Sequence, residues 1–584
     1  MAFYTCGLYL WVFTFFTGGK TFLVPMKHIF ARYIGGRGGS RPLDFWGVGV
    51  PLVALALSVP VLVVLSSVFK PTGEVWRHLA ATVLPDYVGN TLLLMLGVGV
   101  GTLLIGVSCA WVCTLCRFPG RRIFQWALLL PMAMPAYIIA YTYTGMLDFA
   151  GPLQTALRAW FDWGFGDYWF PEIRSLPGAI LMLSLVLYPY VYLLARAAFL
   201  EQSVCVLEAS RTLGCGPWRS FFTVALPMAR PAIIAGLTLA LMETLADFGT
   251  VQYFGVDTFT TGIFRTWYGL GDIDAASQLA ALMMTFVLVL IVLERWSRHR
   301  ARYHNTGQRH QDLPGYQLRG GRALAAFVVC LLPLSFGFLL PAAQLGAWAV
   351  ATWEHSFDAD FLILMRNSLL LAAGAAVLTL ALALLLAYGK RLRPTPVIRA
   401  GVQVASMGYA VPGLVIAIGV IIPFAWLDNT VDSWMRDNFN ISTGLLLSGT
   451  VAALLFAYVA RFMAVALHAV EAGLGKVKHS MDDAARVMGL RPLQVLRRVH
   501  LPVLRGSLLT ALLLVFVDVL KELPATLVLR PFNFNTLAVR AFELASDEFL
   551  AESSLAALAI VAAGIVPVIL LSLTIARSRK QQER

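Results

Sequence analysis

Four carboxylates and one amine sit where charge is least welcome. Glu243 and Asp247 lie at the end of one long apolar run, Asp518 and Glu522 at the end of another, and Lys521 stands beside the last. Each pair is spaced i,i+4, which on an unbroken helix puts both carboxylates on one face. The pairs match each other at an offset of 275 residues. Charges this deep in apolar segments are costly and turn towards a cavity or a partner. Two chemistries follow. The carboxylates could flank a passage near its outer end, since anionic oxygens suit hard cations. They could equally be structural, closing ion pairs with Lys521, Arg196 or Arg461, the two arginines being also candidate helix-end anchors.

Other chemistry-bearing residues carry less. Cys113 and Cys116 have a metal-like spacing, but no second pair exists and they end an apolar run, so they read as core cysteines and no metal site is assigned. Gly18-Gly19-Lys20-Thr21 approaches a phosphate-binding loop, yet Thr14 stands where its first glycine belongs and no strand precedes it. This chain therefore binds no nucleotide cofactor. His299, His304 and His310 fall in a solvated stretch unsuited to a ligand set. No Ser/His/Asp nucleophile arrangement fits such apolar surroundings, and the chain does not read as an enzyme.

The elements that must position these groups are apolar helices. The 584 residues are 59% hydrophobic and 13% charged, against about 25% charged in soluble chains, and mean hydropathy is +0.74. Repeated continuous runs of membrane-spanning length give an all-α polytopic membrane protein in the lipid bilayer, not an alternating barrel. Twelve spans are expected. Six run roughly 46–69, 88–116, 123–147, 176–200, 229–250 and 277–296; six more run roughly 323–350, 366–388, 399–427, 442–470, 504–524 and 553–577. The net charge of +13 sits between the spans, which speaks for membrane orientation rather than nucleic-acid binding. Arg117, Arg121 and Arg122, the arginines from Arg298 to Arg322, Lys390 to Arg399, and Arg577 to Lys580 fall on one side if both termini are cytoplasmic. The opposite loops hold Asp148, Asp162, Asp167 and Glu172, and then Asp428, Asp432 and Asp437. Seven scattered cysteines imply no disulfide framework.

The chain divides into a lead-in (1–45), a first repeat (46–296), a basic linker (297–322), a second repeat (323–577) and a tail (578–584). The lead-in holds a short apolar stretch, Cys6 to Phe16, that could lie at the interface; Met26 is an alternative start. Six spans return the chain to its starting side, so the repeats are parallel. Gly89-Asn90-Thr91-Leu92 answers to Arg366-Asn367-Ser368-Leu369. Pro135 answers to Pro412, each inside an apolar run, either as a kink lining a cavity or as a tolerated membrane proline. Gly97-Val-Gly-Val-Gly101 predicts close helix packing.

The clearest repeat is polar. Glu208-Ala-Ser-Arg-Thr-Leu-Gly214, then Pro217 and Leu226-Pro227, is matched by Asp483-Ala-Ala-Arg-Val-Met-Gly489, then Pro492 and Leu501-Pro502, at the same offset of 275. The spacing predicts a short helix, a bend with Gly214 or Gly489 in the left-handed C′ position, and a second short helix opened by Pro217 or Pro492 and ended by the later proline.

This pattern resembles the coupling loop of type I ABC importer permeases, here at 201–227 and 475–502. The resemblance implies a two-repeat permease fold in a bacterial inner membrane, in which Glu208, Ala209, Arg211, Gly214 and Pro217, with Asp483, Ala484, Arg486, Gly489 and Pro492, dock a cytoplasmic ATPase dimer carrying ATP and magnesium. Asp482-Asp483 stands where that family usually has Glu-Glu or Glu-Ala, a conservative departure. Two further stretches, Ala246-Asp247-Phe248 to Gly262 and Val519-Leu-Lys521-Glu522-Leu-Pro524 to Asn533, resemble iron(III) importer permeases. They imply cargo delivered by a periplasmic binding protein and a path or gate formed by Glu243, Asp247, Asp518, Lys521, Glu522, Pro135 and Pro412. Permeases for thiamine and for aminoethylphosphonate share this plan. An ion-driven secondary carrier also comes as six-plus-six repeats, but leaves the paired bends without a role.

Overall fold

A computed structural model of the chain describes residues 45–71, 73–164, 166–201, 212, 216–299 and 316–582. Glu208, Ala209, Arg211 and Gly214, most of the linker and nearly all of the lead-in lie outside the described residues.

Length and apolarity make the fold. The first half contributes α1 (Phe45–Ser66), α2 (Leu84–Leu115), α3 (Ala136–Leu147), α4 (Leu176–Glu201), α5 (Leu226–Ala246) and α6 (Ile273–His299). The second contributes α7 (Gly321–Leu334, continued through a π-turn to Ala351), α8 (Ala359–Leu392), α9 (Gly413–Phe439), α10 (Val451–Leu474), α11 (Leu501–Leu520) and α12 (Leu550–Gln582). Among the described residues, eleven helical segments are long and apolar enough to cross a bilayer. A pair bent by 91°, Arg121–Ala133 with Ala136–Phe161, makes a twelfth. A short parallel ladder, Cys116–Arg117 with Tyr316–Gln317, ties the end of α2 to the lead into α7.

Four expectations need correction. Pro135 and Pro412 do not kink continuous spans. Each follows a short 3-10 turn (Leu130–Ala133, Ser406–Ala410) in extended conformation and starts a new helix, where its missing N–H is no loss. Pro227 and Pro502 do not end the second short helix of each bend. The π-turns Phe221–Ala225 and Leu496–His500 join Pro217–Ser220 to α5 and Pro492–Val495 to α11, and each later proline sits in the first turn beyond. The acidic stretch after the ninth span is helical: α9 runs to Phe439, and α10 starts at Val451 rather than near 442. Asp428 and Asp432 at its end accept backbone N–H groups of Leu447 and Ser448, and of Thr443 and Gly444. Finally, the carboxylate pairs do not share unbroken helix faces, because α5 stops at Ala246 and α11 at Leu520.

The halves are interlocked rather than merely tethered. One core gathers α2, α3 and α4 with Cys330, Leu334 and Leu345 of the α7 segment and Ala557 and Ile560 of α12. The other gathers α8, α9, α10 and α11 with Val50 and Ala54 of α1 and residues of α6. Each half's first and last helices thus complete the other half's core. Small residues permit the approach: α1 packs with Val50 against Gly389 and Pro60 against Gly419. The glycine-rich face of α2 meets α4 as its pattern predicts. A Cβ at Gly97 would lie 2.6 Å from Ile180, and one at Gly106 2.8 Å from Val191.

Gly408, in the turn before Pro412, leans on α10 so closely that a Cβ would run into the Ala460 carbonyl. Gly408→Ala should destabilise the purified protein by roughly 1–3 kcal/mol through forced backbone separation. Gly346→Ala, whose Cβ meets nothing within 4 Å, should leave its thermal unfolding temperature unchanged.

Candidate functional site

The helix breaks put both carboxylate pairs into one cavity between the halves. It measures about 120 Å³ and is lined by Glu243, Asp247, Asp518, Lys521 and Glu522, together with Pro135, Tyr137, Tyr190, Tyr409 and Arg461. Pro412 does not line it, although Tyr409 from the preceding turn does.

The second carboxylate of each pair sits in the break and serves the helix that follows. Asp247 accepts from Thr250 Oγ1 at 2.9 Å and Val251 N at 3.1 Å, at the start of Gly249–Tyr253. Glu522 accepts from Ala525 N and Thr526 N, both at 3.2 Å, at the start of Pro524–Leu529. Such a carboxylate satisfies N–H groups that a helix cannot satisfy itself. Glu522 also pairs with Arg461 Nη1 at 2.7 Å, with both side chains nearly buried. Arg461 lies near the middle of α10, not at a helix end, and Gly413 gives it room: a Cβ there would strike the guanidinium. Asp518 pairs with Lys521 Nζ at 2.9 Å. Glu243 accepts from the Tyr409 hydroxyl at 2.9 Å. The structural and the path-lining readings therefore coexist, with ion pairs on one wall. Arg196 is buried but pairs with none of these carboxylates among the described residues.

The second bend is built as its sequence predicts. The helix His479–Val487 ends on Gly489 at φ +79°. Gly489 N–H donates to Arg486 O and Leu490 N–H to Ala485 O, the paired closure that wants glycine at C′. Pro492 opens the next helix with Gln494 bonding back to Arg491 N. Sequence reading missed what holds this element. Arg391, at the end of α8, donates to Asp482 Oδ2 at 2.8 Å and to the carbonyls of Leu474 and Val477. Tyr388 donates to Pro492 O at 2.7 Å and lies edge-on to His500. His500 Nε2 stands 2.8 Å from Asp482 Oδ1, close enough for an ion pair though not aligned as a hydrogen bond. Asp482 and His500 stand in a polar stretch crowded with arginines, so the sequence did not single them out. Asp483, Ala484 and Arg486 face outward with Val487, Met488 and Leu493, the last three exposed at 88%, 72% and 68%. In the first bend only Pro217 of the five residues expected to dock is described, opening Pro217–Ser220; Trp218 and Phe222 beside it are exposed.

Known proteins share this sequence. The Fe(3+)-transport system permease protein FbpB 2 of Haemophilus influenzae is 26% identical over 539 residues, spanning 91% of this chain and 98% of that one. The ferric transport system permease protein FbpB of Actinobacillus pleuropneumoniae is 23% identical over 522 residues, 83% of this chain and 69% of its own. The molybdenum transport system permease protein ModB of Escherichia coli is 29% identical over 206 residues, 34% of this chain and 87% of its own. The family described as binding-protein-dependent transport system inner membrane component matches twice, over residues 102–303 and 379–583. With the two matches falling one in each interlocked half, the chain belongs to that family and carries its unit in duplicate.

Proposed function

We propose that this chain forms the membrane passage of an ATP-driven importer whose cargo is iron(III). The observation that carries the reading is the charged cavity between the halves, walled by matched carboxylates of both repeats and joined by α5 and α11 to the two bends. Carboxylates suit a hard cation, and two relatives that align with most of this chain are named for ferric transport. A cytoplasmic ATPase dimer, holding ATP and magnesium, would take the outward side chains of both bends into matched sockets. The exposed Val487, Met488 and Leu493 supply apolar surface of the kind that marks a docking face. A periplasmic binding protein would deliver cargo at the opposite end, with both termini cytoplasmic in an inner membrane. ATP binding would close the ATPase dimer and tilt both bends, and hydrolysis would reset them.

Two experiments test this reading. Radiolabelled ferric uptake, measured in cells lacking the chain and then restored, should return with the chain and vanish on ATP depletion. Uptake of thiamine or aminoethylphosphonate instead would keep the architecture and discard iron, and uptake that persists on a proton gradient alone would discard the ATPase. In the second bend, Gly489→Val should abolish uptake, since a β-branched residue at positive φ costs about 1–2 kcal/mol. Gly489→Asn, which tolerates that conformation, should retain most of it. Equal loss in both variants, at equal membrane abundance, would show that the bend conformation is not what coupling requires.

A further inference from the structure

Asp482 and Asp483 are neighbours in sequence and opposites in space. The Asp483 side chain is 70% exposed on the outward face of the second bend, whereas that of Asp482 is 9% exposed and turned into the protein. A nearly buried carboxylate is costly unless it is paired, and this one has partners on two other elements. Its Oδ2 accepts from Arg391 Nε at 2.8 Å, in the last turn of α8. Its Oδ1 lies 2.8 Å from Nε2 of His500, the fully buried last residue of the π-turn that leads into α11. The exposed His479 stands 3.8 Å away on the same short helix.

The arginine extends the junction. Its other two nitrogens donate to the carbonyls of Leu474 and Val477, where α10 ends and its last carbonyls lack helical partners. One turn earlier on α8, Tyr388 donates to Pro492 O, where the second short helix of the bend begins. The ends of α8 and α10, the helix His479–Val487 and the start of α11 are thus gathered around one carboxylate–guanidinium pair. The planar fork of arginine suits such a junction, because its donors are fixed relative to one another. In the first half the matched positions carry no charge. Leu207 stands for Asp482 and Ala225 for His500 at the offset of 275, and Thr114 stands for Arg391 at the offset of 277.

We infer that Asp482 is a positioning residue for energy coupling: it holds the second bend in register with α8 and α11, so that movement of the bend is passed to α11 instead of being absorbed at the joint. This rests on the reading that an ATPase moves the bend. Asp483 faces the partner, and Asp482 faces the helices that must follow it. A charge-assisted pair fixes direction as well as distance, since donor and acceptor must stay aligned.

Ferric uptake and ATP hydrolysis are measured together in proteoliposomes holding the complete transporter, with its ATPase dimer and its binding protein. Asp482→Asn should lower uptake per ATP hydrolysed about tenfold or more, because breaking a nearly buried pair leaves Arg391 uncompensated. Arg391→Met should do the same. Both act through one contact, so the double variant should match the worse single variant within about twofold and not multiply the two losses. Asp482→Glu, which keeps the carboxylate, should retain most of the ratio. An unchanged ratio in Asp482→Asn, a fall of uptake and hydrolysis in equal proportion, multiplied losses in the double variant, or an equal loss in Asp482→Glu would overturn the assignment. Hydrogen exchange of the backbone amides from His479 to His500, in the chain alone in lipid nanodiscs, separates the two claims. Faster exchange in Asp482→Asn, from a transporter whose uptake ignores ATP, overturns the ATPase reading and leaves the junction. Exchange that is the same with and without the Asp482 carboxylate overturns the junction.

Discussion

Two helix breaks deep in the membrane segment set the terms for everything around them. After Ala246 and Leu520 the backbone leaves the helix, and the short helices that follow begin with N–H groups that have no partner of their own. Hydrocarbon offers no water to satisfy them. Asp247 and Glu522 do so, with the added benefit of negative charge at a helix N-terminus. These two carboxylates are required by the fold before any cargo arrives. Once they are in place, Glu243 and Asp518 fall one turn earlier on the same helices, in the wall of the cavity. Irregular backbone at this depth is tolerated where it lines a cavity or is buried in protein, and both conditions hold here.

The duplicated architecture keeps its geometry while letting its chemistry diverge. Each core borrows helices from the other half, so neither half completes its packing alone. Close contacts at glycines on α8 and α9 hold α1 in that exchange. Within this shared frame, the bends are fastened by different forces. The second is gripped by Arg391, Asp482 and His500. The positions matched to these in the first half are Thr114, at the offset of 277 that relates Asn90 to Asn367 and Pro135 to Pro412, and Leu207 and Ala225, at the offset of 275. There Trp111, matched to Tyr388, packs on Phe199 and Phe221 instead. The buried Arg391–Asp482 ion pair holds direction and register, whereas an aromatic cluster holds mainly by burial. The same divergence recurs in the cavity, where Lys521 and Arg461 have no counterparts in the first half.

The fold was legible wherever one physical signal dominated. Span number follows from apolar length, the tight α2–α4 contact from its glycines, and the Gly489 bend from the need for positive φ. The pairing of Glu522 with Arg461 and of Asp518 with Lys521 was one of two readings the residues allowed. Span boundaries at α5 and α11 misled because a π-turn hides a proline that would otherwise end a helix. The breaks after Ala246 and Leu520 were signalled only by Gly249 and Pro524, which the continuous apolar run on either side outweighed. The competition of Asp247 and Glu522 for backbone N–H groups then fixes the stop. Tyr409, Tyr137, Arg391 and His500 could not be found from spacing, since each meets its partners only through tertiary packing.

The bend and the cavity are joined by one continuous element. From Pro492 through the π-turn to Leu520, 29 residues run without interruption, which at 1.5 Å rise is about 43 Å. One end carries the bend, gripped by α8; the other carries Asp518 and delivers Glu522 to Arg461 on α10. In the proposed cycle, a tilt imposed at the bend would be carried along this element towards the cavity wall. The ion pairs at the far end are then what the displacement acts upon. Because the matched helix, α5, delivers Glu243 and Asp247 to the same cavity, a tilt applied to both halves would move the two carboxylate pairs against each other.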